Sequence, residues 1–146
     1  MQATILSIKS NRHYWEMSQQ RQNLSYVLTQ IEQQLLIHPP SCMIPITQYS
    51  AIKIKPVVWW QQQACHYVWQ NKDYYYAIEL LGQDGCAVIN KIYSATYYRI
   101  NLFTISVEGY HHRWLLQSTV ARPEKMLACQ EKIHRVKIGE QMRREL

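Results

Sequence analysis

Residues 74–93 read YYYAIELLGQDGCAVINKIY, and this stretch decides the fold class. Its two halves are rich in aromatic and branched residues, which suit a pleated surface. Between them Gly82-Gln83-Asp84-Gly85 carries the residue types of a hairpin turn. A tyrosine triple makes the strand reading sharper. Side chains alternate across a strand, so Tyr74, Tyr75 and Tyr76 cannot all point the same way.

Working outward on the C-terminal side, residues 97–107 continue the aromatic and β-branched pattern, with a slip of phase near Leu102-Phe103 and a break at Ser94-Ala95. Glu108-Gly109 reads as a tight turn, from which residues 112–120 pair back. Pro123 followed by Glu124 suits the first turn of a helix. Met126, Cys129, Ile133 and Val136 give that helix a stripe, Gly139 ends it, and residues 140–146 are expected to fray.

On the N-terminal side, residues 65–69 form a further strand, closed by a turn at Asn71-Lys72-Asp73. Residues 51–60 alternate Ile52 and Ile54 with Lys53 and Lys55, as a half-buried strand would, with Pro56 marking an edge or bend. Residues 41–49 form a loop. Met17, Leu24, Val27, Leu28, Ile31 and Leu35 recur at three- and four-residue steps and specify one amphipathic helix. Pro39-Pro40 ends it. Residues 3–9 suggest a short first strand. The expected fold is α+β: an N-terminal strand and amphipathic helix, an antiparallel meander of four to five strands, and a C-terminal helix, in one domain over residues 1–146.

Composition bounds the function. Among 146 residues, 47% are hydrophobic and only 4 are glycine, which excludes a low-complexity chain. No apolar run is long enough to cross a bilayer, so no membrane partner is expected. Residues 1–9 are too short and polar for a signal peptide, giving a cytoplasmic location as the expectation. Cys42, Cys65, Cys86 and Cys129 match no CxxC pair, which argues against a zinc site and leaves buried thiols as the expected state. P-loop, GxGxxG, GxSxG and HExxH motifs are absent, and no cofactor or metal is implied.

Sixteen Lys and Arg against ten Asp and Glu give a formal charge of +6. The segments between Glu32 and Asp73, and between Asp84 and Glu108, contain no acidic residue. Lys53, Lys55, Lys72, Lys91 and Arg99 fall there, interleaved along the chain with Trp59, Trp60, Tyr97 and, just beyond Asp73, Tyr75. Flat rings stack on bases and cations meet phosphates, so these nine residues are the candidate nucleic-acid ligands. The competing reading makes the rings ordinary strand and core residues. The leading expectation is a small, basic, non-catalytic accessory protein or subunit of a larger complex that binds nucleic acid through one exposed, basic, aromatic-bearing sheet face.

A second class of function rests on the glutamines. Gln19, Gln20, Gln22, Gln30, Gln33 and Gln34 give the first helix a neutral surface with little charge to keep neighbours apart. Such a surface suits docking onto a protein partner or a second copy. The third class is a small hydrolase or nuclease built on Glu108, Tyr110, His112 and Arg113, a carboxylate, a phenol, an imidazole and a guanidinium around one turn. Adjacent strand residues diverge, which weakens this cluster as it weakens Cys65-His66 as a nucleophile pair. Cys129 and His134 would lie about 140° apart around a helix and share no face.

Overall fold

The structure, a computed structural model, describes residues 2–106 and 112–146. Its elements are α1 (Gln2–Ile37), a 3-10 helix (Ile46–Ile54), α2 (Val57–Gln63), and six strands. The strands are β1 (Cys65–Trp69), β2 (Lys72–Val88), β3 (Tyr93–Ile105), β4 (Arg113–Lys125), β5 (His134–Arg135) and β6 (Gly139–Glu145). They form one sheet in the order β1-β2-β3-β4-β6, antiparallel throughout, while β5 pairs in parallel with β2. The fold is mixed α+β, as expected.

The expected helical stripe is the one that is buried. Leu24, Val27, Leu28, Ile31 and Leu35 of α1 pack against Tyr74, Ile78, Tyr98, Ile100, Leu102, Trp114 and Val120. These seven alternate along β2, β3 and β4 and so share one face of the sheet. No cation lies in the last turn of α1. Arg122 of β4 supplies one instead, donating from Nε to the Leu35 carbonyl at 2.8 Å and from Nη2 to the His38 carbonyl at 3.3 Å.

The opposite face is covered as well. Ile44, Ile52 and Trp60, from the chain between α1 and β1, close over Ala77, Phe103 and Leu115. Near the other end of the sheet, Ala87, Ala95 and Ala121 pack with Ile89, Tyr97 and Val136. Two covered faces explain the apparent slip at Leu102-Phe103. Both residues are buried, one on each face, and the pairing of β3 with β4 runs unbroken from Tyr93↔Lys125 to Ile105↔Arg113. Ser94 and Ala95 therefore leave the pairing with β4 unbroken, while on the β2 side the register shifts between their partners Val88 and Asp84.

Several local expectations are corrected. Residues 3–9 lie in α1 instead of a strand. A lone strand needs a neighbour for its backbone groups, whereas a helix satisfies its own. Residues 51–60 form no strand: Pro45 and Pro56 sit at the N-caps of the 3-10 helix and α2, where fixed φ values of −62° and −68° start each helical turn. Only Ile52 of the alternating pair is buried; Ile54 is 79% exposed.

The turn expected at 82–85 is absent, because β2 runs through it with register shifts at Leu80/Gly82 and Asp84/Val88. Asp84 Oδ1 accepts from the Cys86 and Ala87 amides. Gly85 admits the backbone of Ala128, whose carbonyl oxygen would lie 2.3 Å from any added Cβ. The chain reverses at 89–92 instead, where Asn90 Oδ1 accepts from the Ile92 and Tyr93 amides. The β1–β2 hairpin is as expected, though its turn is centred on Gln70 and Asn71, with φ of 50° and 59°.

The C-terminal helix is also corrected. Pro123 sits in β4 opposite Ala95, beyond Ala121 where pairing with β6 begins, so its missing N–H is required by no neighbour. Residues 126–133 adopt no regular structure, and of residues 140–146, expected to fray, all but Leu146 belong to strand β6. The four cysteines are not free thiols. Cys42 bonds to Cys65 and Cys86 to Cys129, with Cα separations of 5.7 and 4.8 Å.

Candidate functional site

The nine candidate ligand residues fall in separate places. One corner, on the face away from α1, holds Lys53, Lys55, Trp59 and Trp60. The Lys55 ammonium lies 5.2 Å from the Trp59 ring, and Trp59 meets Trp60 edge-on at 5.0 Å. Trp60 itself is fully buried, stacked on Phe103 at 4.8 Å, so no base can reach its face. Arg113 adds its guanidinium to this corner, 5.0 Å from the Phe103 ring, and donates to the Lys55 carbonyl. Lys53 is exposed in the last turn of the 3-10 helix.

Lys72 lies on the α1 side instead, bonded to Gln20 and 6.0 Å from the Tyr74 ring. Lys91 is exposed in the turn at 89–92. Arg99 stands 3.6 Å from the buried carboxylate of Glu79, its cross-strand partner. Tyr75 stacks on His66 at 5.2 Å, and Tyr97 packs onto the alanine cluster. Burial raises the Tyr97 phenol above its ordinary pKa, with Asp84 adding to the effect. Strand parity thus places Tyr74 and Tyr76 toward α1 and Tyr75 away from it.

For the catalytic candidates, Glu108 and Tyr110 lie outside the described residues. His112 is exposed and meets Trp114 edge-on at 4.7 Å. Cys65 cannot serve as a nucleophile beside His66, since its sulfur is bonded to Cys42. His66 instead pairs with Asp73 at 2.6 Å. Among the described residues, no three His, Cys, Asp or Glu side chains are grouped to hold a metal ion.

The sequence reading missed a polar row beneath the sheet's covered face. Glu79, Asn101 and Gln117 are all buried, and hydrogen bonds link them across β2, β3 and β4. Asn101 donates to Glu79 at 2.7 Å, Gln117 to Asn101 at 2.6 Å, and Arg144 of β6 to Gln117 at 2.8 Å. The signal was present in the even spacing of Glu79 after Ala77 and of Asn101 after Arg99, though nothing local shows that this face is covered. Burial raises the Glu79 carboxyl pKa, against the lowering effects of Asn101, Arg99 and Arg144.

Glu79 therefore gives up its proton at higher pH in the folded chain than in the unfolded one. Its contribution to stability is full below the unfolded value and declines as pH rises through the folded one. Glu79→Gln keeps the oxygen that accepts from Asn101 and removes the buried charge. Thermal melts are expected to coincide with the parent in acid and to lie higher than the parent at neutral pH. A lower neutral melting point would mean that attraction to Arg99 and Arg144 outweighs desolvation.

The remaining candidate is α1 itself. Among its described side chains the first that is buried is Gln20, and none of those described between Asn11 and Gln19 is. Tyr14 and Trp15 are 71% and 70% exposed. Residues 2–19 correspond to about 27 Å of helix at 1.5 Å per residue. Beyond Gln20 the glutamines divide: Gln22, Gln33 and Gln34 are exposed, Gln30 is half-buried, and Gln20 is turned inward to Lys72. No helix among the described residues is long and apolar enough to cross a membrane. Comparison with protein-family models, curated proteins and solved structures finds no match for this chain.

Proposed function

We propose that the protein is a non-catalytic docking subunit of a larger protein assembly, and that the N-terminal half of α1 is the element it offers. The observation carrying this reading is the pair Tyr14 and Trp15, two large rings exposed on a helix whose other half is bound to its own sheet. Tyr and Trp are the usual anchors of protein interfaces, and solvent-facing rings of this size are unusual without a partner. The exposed Arg12–Glu16 ion pair adds only slight local support to this half of the helix, which leaves its ordering to a partner.

The test is photo-crosslinking in the native cell from positions 14 and 15, with position 62 of α2 as control. Cross-links to a protein band are expected from 14 and 15 alone. The double variant Tyr14→Ala/Trp15→Ala should abolish that band while shifting stability by no more than about 0.5 kcal/mol. Equal cross-linking from all three positions, or none from 14 and 15, contradicts the reading.

A second reading, nucleic-acid binding, is favoured by the formal charge of +6 and by the corner where Lys55 lies against the Trp59 ring and Arg113 donates to the Lys55 carbonyl. It predicts oligonucleotide affinity that falls steeply with salt, since each phosphate contact releases counterions. Absence of binding at low salt removes it. A cytoplasmic location is not retained in either reading, because the paired cysteines favour an oxidising compartment.

A further inference from the structure

Among the described residues no cysteine is free. The pairing joins each cysteine to its neighbour in chain order, Cys42 with Cys65 and then Cys86 with Cys129. Four cysteines allow three connectivities. This is the one reached by closing each bond as soon as its second cysteine emerges from N- to C-terminus. Once the first pair is closed, Cys86 has only Cys129 to meet.

Both bonds fasten chain outside the sheet to one of its strands. Residues 126–133 have no regular structure and none of them is buried. Cys86–Cys129 ties them to β2, over the gap left by Gly85. Cys42 has a φ of 61°, a left-handed conformation that is unfavourable for a residue with a side chain. It lies on the connection leaving α1, which the bond to Cys65 fastens to the edge strand β1.

We infer that the chain is a substrate of a protein dithiol–disulfide oxidase in an oxidising compartment, and that it reaches its native pairing without a disulfide isomerase. In each round a cysteine thiolate attacks the oxidase disulfide, forming a mixed disulfide and releasing one oxidase thiolate. The second cysteine of the pair, as thiolate, then attacks the substrate sulfur of that bond. The protein disulfide forms, and the oxidase leaves as a dithiol carrying two electrons and the two protons. This inference is independent of the docking reading, since it concerns how the fold is completed and not what α1 binds.

The experiment has two arms. First, the endogenous protein is acid-quenched and treated with a polyethylene-glycol maleimide. The expected result is no addition before reduction and four additions after it. Four additions to the folded protein before reduction overturn the inference. Second, the full chain is directed to the oxidising compartment of bacterial hosts lacking either the oxidase or the isomerase, and its disulfides are mapped by peptide mass. Loss of the oxidase should leave reduced thiols, whereas loss of the isomerase should leave both bonds and the yield unchanged. Scrambled pairing without the isomerase overturns the sequential route. In the variant Cys129→Ser, Cys42–Cys65 should still form and Cys86 should remain a single reactive thiol; Cys86 bonded to either of the others overturns it too.

Discussion

Replacing Cys86 and Cys129 together by serine is expected to lower the free energy of unfolding by about 4 kcal/mol, and replacing Cys42 and Cys65 by about 3.5 kcal/mol. The separations of 43 and 23 residues set these sizes, since a longer closed loop removes more freedom from the unfolded chain. The two losses should differ in character. Without Cys86–Cys129, residues 126–133 lose their tie to β2, and the two-residue pairing of β5 with β2 is the next contact to open. Without Cys42–Cys65, the connection after α1 is released from β1 but keeps the Met43–Ile78 bridge and the packing of Ile44, Ile52 and Trp60 on the sheet. Urea unfolding of parent, variants and reduced parent measures both effects. Reduced parent should match the fourfold serine variant, and an unchanged midpoint after reduction would contradict the prediction.

The other large effect is expected at Arg143, which joins the last strand to the long helix. Its Nε donates to Glu32 at 3.2 Å, its Nη1 to Ser25 at 3.0 Å and its Nη2 to Thr29 at 2.8 Å. Ser25, Thr29 and Glu32 lie on one side of α1 at helical spacing, and Ser118 of β4 also donates to Glu32. Glu32 is buried, so Arg143→Ala leaves a carboxylate with its main counter-charge gone. Breaking a buried pair from one side costs about 3–5 kcal/mol; the lower end applies here because Arg143 is partly exposed. The double variant Arg143→Met/Glu32→Leu should recover most of the loss, because neither charge is then stranded. A double-mutant cycle with no coupling would show that the pair does not hold β6 to α1.

What could be read from the sequence follows the reach of the forces involved. The stripe Leu24, Val27, Leu28, Ile31 and Leu35 was legible because periodicity is local, and every one of these residues is buried. The strand at residues 65–69 was legible for the same reason. Met126, Cys129, Ile133 and Val136 have equally helical spacing, yet Met126 and Ile133 are exposed. The bond to Cys86 and the β4 pairing through Pro123 override propensity there, and both are contacts between distant segments. Residues 51–60 misled because Pro56 was read as a bend in a strand, while its fixed φ starts a helical turn.

The candidate site was less legible than the fold. Aromatic residues on strands were expected to share one exposed wall, but both faces of this sheet are covered. Which rings are sealed depends on the cover: Trp60 lies inside, while Trp59, its chain neighbour, meets solvent beside Lys55. Cation placement is equally non-local, since Lys53 and Lys72 lie on opposite sides of the sheet. The glutamine-rich helix could be located from composition, whereas the point at which the sheet stops covering it, near Gln20, could not.

That boundary is where hydrogen exchange measures the account most directly. Helix without a packed neighbour opens locally at little cost, while helix bound to a core opens only with the whole fold. In the isolated protein, amides from Leu24 to Leu36 should exchange only with global unfolding, and those from Asn11 to Gln19 should exchange far faster. Uniform slow exchange along α1 in the isolated protein would contradict a helix whose first half waits for a partner.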